Sequence, residues 1–199
     1  MIEFKNIYKS YNDKNVINNL NLVVILGEIV GLIGHNGAVK TTTLKILTGI
    51  LKSDKGEILI NKKDIYNHPL SIKMNMGFVS GNYKIFLKLK GIEYLNFICD
   101  MYNISTEERR KQIIKYSLKF QINGLDPHAI NSLKQIIKDY SNKGKTIIFL
   151  IHILDIAEKI CNRIIILHKG NIIYDSKFND PKQIKYSLVE EAFIKLTNK

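Results

Sequence analysis

One stretch, Gly34-His35-Asn36-Gly37-Ala38-Val39-Lys40-Thr41, narrows what this chain can fold into more than any other. It follows a short apolar segment, Glu28–Ile33, that reads as a buried strand. It precedes Thr41–Leu51, where Leu44, Leu47 and Leu51 fall on one helical face. Strand, glycine-rich turn, Lys-Thr and helix in that order are the setting of a phosphate loop. Such a loop aims successive backbone N–H groups at phosphate oxygens, and the helix after it adds its positive dipole end. Lys40 supplies a point charge for the outer phosphates, and the Thr41 hydroxyl is placed to ligate Mg²⁺. A chance glycine-rich turn is the bland alternative, and the ordered context argues against it.

The loop departs from its pattern at one place. In G-x-x-x-x-G-K-[ST] the second glycine allows a backbone conformation and a close approach to phosphate. Here that position is Val39. A β-branched residue forced into such a conformation is expected to carry about 1–3 kcal/mol of strain.

The remaining chain reads as alternating strands and helices. Strands are expected at Ile2–Tyr8, Leu20–Ile25, Gly56–Ile60, Gly77–Ser80 and Lys145–Ile151, with a hairpin of Arg163–Leu167 and Asn171–Asp175 turning at Lys169-Gly170. Helices are expected at Ile92–Asn103, Thr106–Gln121, Pro127–Asn142, Leu154–Cys161 and Pro181–Thr197. Ser105 and Glu108 have capping-box spacing, Pro127 suits a first helical turn, and Gly144 lies just past a helix end. This alternation implies an α/β layered domain with a largely parallel sheet.

Bulk properties fit one domain of 199 residues, 45% hydrophobic and 24% charged. No apolar run is long enough to cross a membrane, and Met1–Lys9 lacks the apolar block of a signal peptide. Cys99 and Cys161 are isolated and read as buried thiols of a reducing cytoplasm. The net charge of +12 raises the question of nucleic acid. Lysines are spread along the whole chain, no Arg-rich block occurs, and no specific nucleic-acid partner is expected.

Gly27-Glu28-Ile29-Val30-Gly31-Leu32-Ile33-Gly34-His35-Asn36-Gly37-Ala38, followed by Lys40-Thr41-Thr42-Thr43-Leu44, resembles the core of an ABC-transporter ATPase, most of all the exporter-type bacterial subunits. The resemblance spans nearly the whole chain. It implies a P-loop NTPase fold of ABC type with an antiparallel β portion and a helical subdomain. It implies ATP and Mg²⁺ as ligands, held by Gly34, His35, Asn36, Gly37, Ala38, Val39, Lys40, Thr41 and Thr42, with Thr41 on the metal. Lys9-Ser10-Tyr11 matches the loop whose aromatic stacks on adenine, which gives Tyr11 that role. Ile148–Asp155 matches the switch strand, whose histidine, here His152, reaches the γ-phosphate. Asn123-Gly124-Leu125-Asp126-Pro127 matches the D-loop, and Ser187–Phe193 the C-terminal helix. Partners implied are a transmembrane permease subunit and a second nucleotide-binding subunit, the same or a sister chain. The location implied is the cytoplasmic side of the cell membrane.

The resemblance breaks between residues 122 and 123. The family carries several tens of residues between its helical subdomain, here about 83–122, and the D-loop. They hold the LSGGQ-type signature and the Walker B strand with its Mg²⁺-linked aspartate and catalytic glutamate. Here Phe120-Gln121-Ile122 runs straight into Asn123-Gly124, as an internal deletion would leave it. Gly81 stands where the Q-loop glutamine belongs. The expectation is a degenerate ATP-binding subunit in which hydrolysis is lost. Two other readings stay open: a non-catalytic interaction module docking on a transporter or regulatory partner, and a different P-loop enzyme such as a small kinase. The D-loop and switch-histidine matches argue against the kinase.

Overall fold

A computed structural model describes residues 1–12, 14–34, 38–79, 89–120, 127–150, 157 and 160–178. The chain divides into two compact units: residues 1–72 with 136–199, and residues 73–135.

The first unit contains two four-stranded sheets. The antiparallel one has the order β2-β1-β4-β5, with β1 Ile2–Tyr11, β2 Lys14–Val24, β4 Lys55–Ile60 and the two-residue β5 Lys63–Asp64. The other has the order β6-β3-β7-β8, with β3 Ile29–Ile33, β6 Ile147–Leu150, β7 Arg163–His168 and β8 Asn171–Lys177. Strand β3 is parallel to both neighbours: Ile29 pairs with Ile147, and Val30 with Arg163. The strand before the phosphate loop and the strand of residues 147–150 are therefore adjacent and parallel in one sheet.

Parallel strands buried on both faces read as unbroken apolar runs. All five residues of β3 are buried, as are Arg163–Leu167 of β7. Ile29 and Ile33 point to one face, where Ile137, Ala157, Ile160, Cys161, Ile164 and Ile166 complete the core. Helix α1, Ala38–Leu47, packs on β7 and β2 and buries Ile46. The β7–β8 hairpin turns through Lys169 and Gly170, both with positive φ, as a two-residue primed turn requires. The Gly170 carbonyl accepts the Asn18 amide at 3.0 Å, which ties β2 to that hairpin.

The second unit carries α3, Gly91–Met101, and α4, Thr106–Phe120. Helix α5, Pro127–Asn142, runs from this unit into the first. Pro127 opens α5, and Gly144 with φ +76 follows its end, where the Lys145 amide donates to the Tyr140 carbonyl at 3.0 Å. Ser105 accepts the Glu108 amide at 3.3 Å, the first half of the expected box. A further cap stands at α3, where Glu93 accepts the Lys90 amide at 2.7 Å.

Several expectations are corrected. Residues 77–79 form no strand, and Val79 is 91% exposed; an apolar segment becomes a strand only beside a hydrogen-bonding neighbour. Strands β1 and β2 reach Tyr11 and back to Lys14, so they include the polar Lys14–Asn19 half that carries little periodic signal. Helix α1 starts earlier than residue 41, and a short helix α2, Pro69–Lys73, was unforeseen. Ala157 and Ile160 are helical within the expected Leu154–Cys161, whose other residues up to 159 lie outside the described ones. The expected C-terminal helix, residues 123–126 of the D-loop, Gly81 and the 122–123 junction also lie outside them. Both cysteines are free; Cys161 is buried, its thiol pushed up to about 12 by desolvation, while Cys99 is only half-buried.

Candidate nucleotide site

The phosphate loop starts where β3 ends. Gly34 follows Ile33 directly, and a side chain there would not fit: a Cβ would lie 2.4 Å from the Leu167 carbonyl oxygen. The glycine is thus demanded by the neighbouring strand β7, before any ligand is considered. His35, Asn36 and Gly37 lie outside the described residues. Ala38 opens α1, and Val39, Lys40, Thr41 and Thr42 follow within its first turns.

Lys40 is buried, at 2% exposure, and its ammonium donates to the Gly34 carbonyl. Burial lowers its pKa, because a desolvated ammonium loses its hydration. The cation is thus held at the root of the loop by a backbone acceptor. Thr41 is exposed, whereas Thr42 is buried. Thr43 donates back to the Val39 carbonyl at 2.8 Å, a bond within the helix. These residue types fit a nucleotide phosphate and Mg²⁺: a helix start, a buried lysine beside it and an exposed threonine one residue on.

Val39 corrects the strain expected of it. It lies in α1 and is not among the described residues with positive φ. Its backbone is ordinary helix, so the left-handed strain is absent. What remains unusual is a β-branched side chain on the first turn of the helix.

Tyr11 ends β1 and is 42% exposed, with the Lys9 ammonium 5.6 Å from its ring centroid. His152 lies outside the described residues. Among the described residues no cluster of three or more His, Cys, Asp or Glu could hold a metal.

Sequence reasoning missed the group that anchors the other end of β3. Glu28 and Arg163 are both buried and pair at 2.9 Å. Arg163 also grips Asp175 through two bonds, Nε to Oδ1 at 2.8 Å and Nη2 to Oδ2 at 2.7 Å, and donates to the Val23 carbonyl. Lys177 reaches Glu28 at 2.6 Å, and the Ile25 amide donates to it at 2.9 Å. Burial works against the Glu28 charge, but Lys177, the Ile25 amide and Arg163 together hold its pKa below the ordinary value of 4.5. Burial is likewise outweighed at Arg163, where Asp175 first and Glu28 next hold the guanidinium charged. An Arg opening one apolar strand and a Glu at the start of another were the available signal.

The family model for ABC transporters matches residues 17–155. An ABC transporter ATP-binding protein of Methanocaldococcus jannaschii is 29% identical, over 90% of this chain and 78% of its own length. The lantibiotic transport ATP-binding protein SrtF of Streptococcus pyogenes is 23% identical, over 93% of this chain and 94% of its own. Among solved structures, an ATP-binding subunit of an ABC transporter superposes with a TM-score of 0.85 at 24% identity, over 98% of this chain and 99% of that one. A dimeric ATP-binding cassette bound to ADP and Pi superposes with a TM-score of 0.75 at 20% identity, over 90% and 99%. The chain belongs to the ABC transporter family, and its fold is that of the ATP-binding cassette.

Proposed function

We propose that this chain is a degenerate nucleotide-binding subunit of an export-type ABC transporter. It sits on the cytoplasmic side of a membrane permease, holds ATP and Mg²⁺ weakly at its phosphate loop, and does not hydrolyse ATP. The observation that carries the reading is the junction between α4 and α5. Only Gln121 to Asp126 separates Phe120 from Pro127. Six residues cannot supply a signature loop, its helix and a strand bearing two carboxylates. Length supports this: the match to the M. jannaschii relative runs over 217 residues, longer than this chain of 199. So does β6, whose four residues are all half-buried and whose one strand partner among the described residues is β3.

The consequences separate by step. Binding draws on backbone amides, Lys40, the α1 dipole, Thr41 and Tyr11. Hydrolysis needs a base for water and a clamp from a second subunit, and this chain has neither the glutamate nor the signature to offer. His152 could still reach a γ-phosphate, but a histidine alone does not replace that machinery. Val39 adds bulk where a glycine backbone approaches phosphate, so it weakens binding by crowding.

Calorimetric titration with ATP and steady-state phosphate release test this together. The expected result is weak ATP binding, strengthened about tenfold or more by Val39→Gly, about 1.4 kcal/mol, with phosphate release at background in both proteins. Turnover on the scale of about one per second, typical of enzymes, overturns the loss of hydrolysis. Equal, tight binding by both proteins shows that the loop tolerates valine.

One observation favours a second reading, a non-catalytic interaction module. Helix α3 buries none of its residues, and Ile92, Leu95, Phe97 and Met101 are all exposed. Failure of both proteins to bind ATP, together with stable association with a permease, selects that reading.

A further inference from the structure

The end of β1 that carries Tyr11 is irregular. Its register with β2 shifts between Ile7 and Lys9 and again between Lys9 and Ser10, and its last pair with β4 is Tyr8 with Lys55. A broken ladder leaves backbone groups that need other partners. Asp54, the residue just before β4, provides them. Its Oδ2 accepts the Ser10 amide at 2.7 Å, its Oδ1 accepts the Lys9 ammonium at 2.5 Å, and its own amide donates to the Tyr8 carbonyl at 2.9 Å. Ser10 is held from the other side, its hydroxyl 2.7 Å from Asn15 Oδ1. One residue thus grips the three residues before Tyr11, its carboxylate holding Lys9 and Ser10 and its backbone amide holding Tyr8, and charge-assisted bonds are the stronger kind. The same Lys9 ammonium stands over the Tyr11 ring.

Asp54 also ends the strap that leaves α1. The Ile50 and Leu51 amides both donate to the Lys45 carbonyl, and Tyr66 hydroxyl accepts the Ser53 amide at 3.1 Å and donates to the Leu51 carbonyl at 3.2 Å. The strap is therefore tied down between the phosphate-side helix and Asp54.

We propose that Asp54 is a positioning residue for base recognition: it locks Tyr8–Ser10 and sets the Lys9 cation against the Tyr11 ring, so that the ring stands ready to stack on a purine. This rests on the nucleotide-binding reading above. An aromatic face accepts any base, and a cation over the ring fixes the ring's orientation by the attraction between them. Asp54 then connects base recognition to the helix that carries Lys40 and Thr41.

The chain has no tryptophan, so Tyr11→Trp introduces a single reporter at the platform. Without nucleotide, adding Asp54→Ala to Tyr11→Trp is expected to lower the tryptophan anisotropy and to raise acrylamide quenching about twofold. Asp54→Asn, which can still accept the Ser10 amide but loses its charge toward Lys9, gives an intermediate value. Unchanged anisotropy and quenching in folded Asp54→Ala and Asp54→Asn proteins overturn the clamp, and show an exposed ion pair of no consequence. With ligand, Asp54→Ala in the natural Tyr11 background is expected to weaken ATP about tenfold, about 1.4 kcal/mol, and to leave inorganic tripolyphosphate binding unchanged. Equal loss for both ligands, or for neither, overturns a role in base recognition. If the tryptophan loosens on Asp54→Ala but neither ligand binds even after Val39→Gly, the nucleotide-binding reading itself fails and the base platform falls with it. An unmoved tryptophan beside normal ATP binding rejects the clamp alone.

Discussion

Strands β6 and β7 flank the same strand, β3, in the same parallel direction, and both are apolar, yet they are held differently. On the β7 side, Arg163–Leu167 are all buried, β8 lies beyond, and the Arg163 ion group bolts β3, β7 and β8 together. On the β6 side all four residues are half-buried. The fastenings there are neutral: Ser141 hydroxyl to the Gly27 carbonyl at 2.6 Å and Thr146 hydroxyl to the Ile25 carbonyl at 3.0 Å. A strand's burial is set by its neighbours more than by its own letters, and β6 shows one strand partner among the described residues where β7 shows two.

Removing the bolt has the largest expected effect. Arg163→Ala takes one of two cationic partners from the buried Glu28, leaving Lys177 and the Ile25 amide, and strips Asp175 of two bonds. Urea unfolding is expected to show a loss of about 3–5 kcal/mol. A loss below about 1 kcal/mol would mean the group is a bystander.

The two flanks can be compared next with matched truncations. Ile165 in β7 is fully buried, and Ile165→Ala is expected to cost about 2–5 kcal/mol in the same assay. Ile148 in β6 is only partly buried, so Ile148→Ala should cost less than Ile165→Ala, since less of its area is withdrawn from water. Equal costs would erase the distinction between the flanks.

The smallest effect is in pH. The folded pKa of Glu28 is lowered, so its contribution is full above the ordinary value of 4.5 and is lost as pH falls through the lower folded value. The urea midpoint should therefore drop on acidification from about pH 5 to about pH 3, and Glu28→Gln should flatten that drop. An unchanged pH profile in Glu28→Gln would show that other carboxylates carry it.

The phosphate loop was legible because its signal is local. A strand, a glycine turn, Lys40, Thr41 and a helix start all fall within a few residues, and each has one physical job. The β7–β8 turn was legible for the same reason, since Lys169 and Gly170 must both adopt positive φ. The strain expected at Val39 was misjudged because a motif position names a residue type, while the backbone angle belongs to the folded helix.

Residues 77–79 were misread as strand because their apolar letters match a strand whether or not a partner exists. The Asp54 grip on Lys9 and Ser10 spans more than forty residues of chain, and the Glu28–Arg163 pair spans 135. By itself the sequence determined the class of domain, the place of the phosphate loop and the brevity of the stretch between α4 and α5. Only the tertiary structure decided which carboxylates hold β1 and β3 in place, and which flank of β3 is fully covered. The reason is physical: local signals act through backbone angles and helix termini, whereas ion pairs and burial depend on which distant segments the fold brings together.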